Sequence, residues 1–123
     1  MTIKEAIEHF ESLLNAPYDR DHLVKWLAEL DGQAIREVFC YYEGNPVPED
    51  WEPYDISYNL DAELLIPAPY DSVYMDYLRM KTDYWHKENS YSNTVKAFNN
   101  SYATFCDFWR RTHKHIPSPQ LKL

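Results

Sequence analysis

Apolar positions in the second half of the chain repeat with helical spacing. Tyr91, Val95, Phe98, Tyr102, Phe105 and Trp109 recur at steps of four, three, four, three and four. That spacing lines six large side chains along one stripe of an α-helix. Ahead of them, Tyr70, Val73, Tyr74, Tyr77, Leu78, Lys81, Tyr84 and Trp85 trace a similar face. Asn89 and Ser90, residue types that cap helix starts, separate the two. The pattern predicts helices over 70–88 and 90–113, paired as an α-hairpin through their aromatic faces.

The first half gives two more helices. Thr2-Ile3-Lys4-Glu5 has the capping-box form, and Ile3, Ala6, Ile7, Phe10, Leu13 and Leu14 continue as a stripe. A helix over 3–15 follows, stopped at Asn15-Ala16-Pro17 because proline disfavours the α conformation before it. Asp19 and Asp21 suit the positive end of a second helix over 20–43. Its period is held by Leu23, Trp26, Leu27, Leu30, Ala34, Ile35, Val38, Phe39 and Tyr42. Gly32 interrupts it at a cost of about 1 kcal/mol relative to alanine, which marks either a kink or, the preferred reading, close packing. Glu43-Gly44-Asn45-Pro46 ends it.

Residues 45–69 hold no helical period. Pro46, Pro48, Pro53, Pro67 and Pro69 exclude one, while Tyr54, Ile56, Tyr58 and Leu60 alternate at period two. The expectation is an extended arm with room for two short strands, over 54–60 and 62–66, ordered in part by a partner. The alternative is a loop wrapping its own domain with Trp51 docked in the core. After Thr112 the tail 114–123, with Pro117 and Pro119, reads as extended and mobile. The fold class is therefore mainly α: one 123-residue domain of four helices, with a C-terminal hairpin and an arm between helices two and three.

Composition changes this picture in two ways. Eleven tyrosines and four tryptophans exceed what a core of this size needs, which favours a Tyr-lined protein interface. The net charge of −8 is also uneven. Seven acids and no base fall between Glu43 and Glu63, whereas Arg110, Arg111, Lys114 and Lys122 face no acid after Arg110. An acidic whole disfavours sequence-independent nucleic-acid binding. Opposed segments could pair between neighbouring copies, or simply be solvated. No apolar run approaches the ~20 residues of a membrane span, and Met1-Thr2-Ile3-Lys4-Glu5 reads as a helix start, so no signal peptide is expected. Cys40 and Cys106 read as small buried hydrophobes, consistent with a reducing compartment.

No catalytic constellation emerges. His113 and His115 lack a third ligand at useful spacing. Cys106 has no histidine nearby in sequence. Asp76 and Asp83 share a helix face with Arg79 and Lys81, an ordinary charged surface. Neither a cofactor nor a metal is expected, and the reading is non-enzymatic.

Two blocks carry a family likeness. One is Lys25-Trp26-Leu27-Ala28-Glu29-Leu30-Asp31-Gly32. The other runs from Leu64-Leu65-Ile66-Pro67-Ala68-Pro69-Tyr70-Asp71 through Asp83-Tyr84-Trp85 and Phe98-Asn99-Asn100-Ser101-Tyr102 to Arg110-Arg111-Thr112-His113. The chain resembles head–tail connector (adaptor, head-completion) proteins of tailed phages and prophages of Gram-positive bacteria. It departs from their pattern at Trp85-His86-Lys87. The resemblance implies a virion subunit, assembled in the bacterial cytoplasm. It also implies a homo-oligomeric ring of about a dozen copies between portal and tail or stopper proteins, closed by heterologous contacts. DNA would pass through its channel without specific binding. Interface roles then fall to Trp51, Tyr54, Tyr70, Tyr74 and Tyr77 and to the basic pair Arg110 and Arg111. The alternative is a small acidic, phage-encoded protein-binding module acting as a monomer or dimer.

Overall fold

A computed structural model describes residues 1–13 and 18–116. Four α-helices form it: α1 (Ile3–Ser12), α2 (Arg20–Glu37), α3 (Val73–Trp85) and α4 (Tyr91–Thr112). The capping box is made, with Thr2 Oγ1 accepting from the Glu5 amide and Glu5 accepting from the Thr2 amide, both at 3.1 Å. Burial of Ile3, Ala6, Ile7 and Phe10 follows the stripe. The expected stop at 15–17 lies outside the described residues, as does the tail beyond 116.

Helix α2 is shorter than its period suggested. A 3-10 turn, Phe39–Tyr41, takes over after Val38. Val38 leaves helical geometry at φ −130°, ψ −65°, and Val38, Phe39 and Cys40 are all buried. The turn sets the Phe39 ring edge-on to Phe105 and Trp109 of α4, at 5.7 and 4.9 Å. Likewise α3 starts at Val73, behind a 3-10 turn at Tyr70–Ser72.

The α3–α4 hairpin forms as the sequence predicts. Tyr70 stacks on Phe108, Tyr77 packs on Phe98 and Tyr84 on Tyr91, an antiparallel pairing from base to tip. Phe98, Phe105 and Trp109 are buried, while Val95 and Tyr102 are half-buried. Between the helices, Lys87 takes φ 54°. Its amide donates to Tyr84 O and the Glu88 amide to Asp83 O, a Schellman closure of α3.

The arm corrects the sequence reading. Residues 45–69 form no strand; the bridges among the described residues are two isolated ones, Thr2 with Glu63 and Tyr42 with His115. Side-chain turns break the extended run: Asn45 Oδ1 accepts from the Val47 amide, Asp55 Oδ1 from Ser57 and Asn59 Oδ1 from Asp61. Instead the segment is a strap across its own domain. It crosses α2 at Trp51 and Tyr54, then reaches α1, where the Ile3 and Lys4 amides donate to Ala62 O and Leu60 O. Those are two of the orphan donors of the α1 N-terminus. Residues 114–116, expected to be mobile, are also held: Glu43 N donates to Lys114 O and Ile116 N to Tyr41 O.

Candidate functional site

Asp31 sits in the middle of α2, fully buried. It falls where Leu27, Ala34 and Ile35 also face inward. An isolated carboxylate is costly there, so hydrogen-bond donors must converge on it. Three do. Tyr54 Oη from the strap donates to Oδ2 at 2.6 Å, the Leu65 amide to the same oxygen at 3.2 Å, and Tyr74 Oη of α3 to Oδ1 at 2.5 Å. The second ring of partners is also filled. Trp51 Nε1 donates to Tyr54 Oη at 3.1 Å and the Ile66 amide to Tyr74 Oη at 2.8 Å. One carboxylate thus ties together α2, α3 and both ends of the strap.

Burial pushes the Asp31 carboxyl up to about 6, against the pull of the bonds from Tyr54, Tyr74 and Leu65. Burial, with the facing carboxylate, raises the Tyr54 and Tyr74 hydroxyls far above their ordinary value. Both stay protonated donors at neutral pH. Asp31 is out of reach of any dissolved substrate, so its chemistry is that of a keystone.

This arrangement accounts for most of the expected interface residues. Trp51, Tyr54, Tyr74 and Tyr77 are buried within the chain itself. Tyr77 Oη donates to Glu29 at 2.9 Å, and Lys81 Nζ pairs with the same carboxylate at 3.2 Å. Tyr70 is half-buried against Phe108. Arg110 and Arg111 are exposed in the last turn of α4, where cations suit the helix dipole. His113 stacks flat on Trp109 at 3.6 Å and His115 packs on Tyr42, so the two histidines serve separate rings. Among the described residues, no group of three or more His, Cys, Asp or Glu is arranged to hold a metal, and no helix is long and apolar enough to cross a membrane.

Two surface features were not singled out in the sequence. Tyr84 and Trp85, placed by periodicity on the inner face of α3, are 65% and 61% exposed. They crown the hairpin, with Trp85 leaning on His22 at 5.2 Å. His22 lies in the first turn of α2, so the crown stands at the N-terminal end of that helix. The second feature is a groove of about 500 Å³ between α2 and the strap, lined by Lys25, Ala28, Glu29, Gly32, Arg36, Trp51, Pro53 and Tyr54. Gly32 is its floor. A Cβ there would lie 3.8 Å from Trp51 Cη2, an ordinary contact, and 3.3 Å from Arg36 Nη1, the tip of a long side chain that can give way.

The keystone would have been visible as an acid on an apolar stripe. The exposure of the crown depends on what the other elements cover, and no local signal gives it. No protein-family model matches the chain, and comparison with curated proteins and with solved structures likewise finds no match. The class the architecture defines is a small, mainly α domain strapped by an irregular segment.

Proposed function

We propose that the chain is a non-catalytic assembly subunit of the head–tail connector kind, which builds a ring with copies of itself and meets portal and tail proteins. The resemblance of its sequence blocks supports this reading, and one structural observation carries it. After the internal network is made, two adjacent aromatic side chains, Tyr84 and Trp85, still stand in solvent. Exposed paired aromatics on a folded domain mark contact surfaces. The strap adds an exposed row of acids, Glu49, Asp50, Glu52 and Asp55, and the end of α4 adds Arg110 and Arg111. Such opposed patches suit heterologous contacts that set register. An acidic channel wall would offer DNA phosphates no partner.

Light scattering and negative-stain imaging, with and without the portal protein of the same phage, test the proposal. The expected result is a symmetric ring, formed alone or on the portal. A chain that stays monomeric in both mixtures and captures a single unrelated partner stoichiometrically would replace this reading with that of a small acidic binding module.

A further inference from the structure

The groove and the hairpin crown ask for each other. On a chain of net charge −8 the groove carries two cations, Lys25 and Arg36, at its two ends, and one acid, Glu29, whose carboxylate is already bonded to Tyr77 and Lys81. Neither forms an ion pair within contact distance among the described residues, where the paired cations are the Met1 amine, Arg20 and Lys81. Lys25 acts on Asp55 only as a distant charge. The Arg36 guanidinium folds back over Gly32, beside the Trp51 ring. An apolar floor with an unpaired guanidinium at its edge fits an aromatic side chain that has a carboxylate close by. The chain itself displays that combination. Trp85 and Tyr84 protrude, and Glu88 follows one turn later, exposed and in no ion pair among the described residues. Among the described residues the other exposed large apolar side chains are Leu13, Tyr41 and Ile56, none of them next to another.

The geometry points to a second copy of this chain as the occupant of the groove, with Trp85 seated on the Gly32–Trp51 floor and Glu88 paired with the Arg36 guanidinium. Within one chain Trp85 rests on His22, stays 61% exposed and is not among the residues that line the groove. Knob and groove are different surfaces, so the contact is heterologous. It closes into a ring or a reciprocal dimer, or runs on as a filament. This names the self-contact of the assembly proposed above and rests on that reading.

Sedimentation velocity of the full chain over a concentration series tests it. Trp85→Ala is expected to weaken self-association about thirtyfold or more, as removal of a central aromatic anchor does. Arg36→Glu and Glu88→Arg should each weaken it, and the double variant carrying both should recover it. All three positions are exposed, and far-UV circular dichroism with thermal melting checks that folding is intact. Self-association that survives Trp85→Ala, or charge reversals that do not rescue one another, overturns the contact. The two proposals fail separately. Rings on the portal that persist in Trp85→Ala leave the connector reading standing and remove this contact. A wild-type chain that is monomeric alone and with the portal removes both.

Discussion

The strap crossing and the hairpin crown use the same residue types to opposite ends. At the crossing, Trp51, Tyr54 and Tyr74 are buried, and their polar atoms are all joined to Asp31 or to each other. At the crown, Tyr84 and Trp85 stand mostly in water. Tyrosine and tryptophan bury a large area while keeping one polar tip, so they suit an interior that holds a polar keystone as well as a contact surface. What separates the two regions is a buried acceptor. Asp31 gives the crossing a reason to keep its hydroxyls inside, and the crown has no such group. A surplus of aromatics therefore did not measure interface area directly in this chain.

The largest expected effect breaks the crossing. Asp31→Ala removes the acceptor of three donors and leaves Tyr54 Oη, Tyr74 Oη and the Leu65 amide buried without it. Loss of one side of a buried charged network costs about 3–5 kcal/mol. Chemical denaturation at neutral pH checks it. A loss under about 1 kcal/mol would mean that the strap is held by apolar packing alone.

The same node sets a pH dependence. Its folded value of about 6 lies above the ordinary 3.8. The fold therefore holds the protonated form more tightly than the unfolded chain does. The resulting contribution is fully present below about pH 4 and is lost as pH rises through 6. The shift corresponds to about 3 kcal/mol. Asp31→Asn, which cannot ionise, should lack this trend, so wild type should lose about that much relative to the variant between pH 4 and 7. Exposed groups such as Glu5 and Asp55, whose carboxyls are held down by local hydrogen bonds, act in the other direction. They are common to both proteins and cancel in the comparison. A flat difference would show that the three donors fully offset burial.

How far the chain could be read from sequence follows from the range of its interactions. The Thr2–Glu5 capping box spans three residues, and the α4 stripe needs only its own period; both are local and both were visible. The partners of Asp31 lie 23, 34 and 43 residues away. The strap's docking on α1 pairs Leu64 with Met1 and Glu63 with the terminal amine. No window reports such pairings, and the period-two run over 54–60 looked like a strand because its Asx turns form only in three dimensions. Periodicity likewise placed Tyr84 and Trp85 inside, since it cannot report how much of the end of α3 the other elements cover.

A smaller effect sharpens the comparison at the crown. Lys87 occupies the left-handed position of the Schellman turn at φ 54°, a conformation that costs a residue with a Cβ about 1 kcal/mol. Glycine adopts it freely. Lys87→Gly should therefore stabilise the fold by up to about 1 kcal/mol, measured as a raised denaturation midpoint with unchanged slope. A loss would mean that the lysine side chain makes contacts worth more than the strain.

The smallest expected effect separates the two regions most sharply. Trp85→Ala removes the largest side-chain type from the end of α3, yet most of its surface already lies in water and its recorded ring contact is with His22. Alanine is also the better helix former, which offsets part of the lost packing. The net change in stability should stay within about 0.5 kcal/mol, as for surface positions in general. A buried tryptophan would cost about 3–5 kcal/mol on the same substitution. Trp51→Ala, at 7% exposure, supplies that contrast within one molecule. If Trp85→Ala proved as costly as Trp51→Ala, the crown would belong to the core, and its aromatics would no longer be free to face another protein.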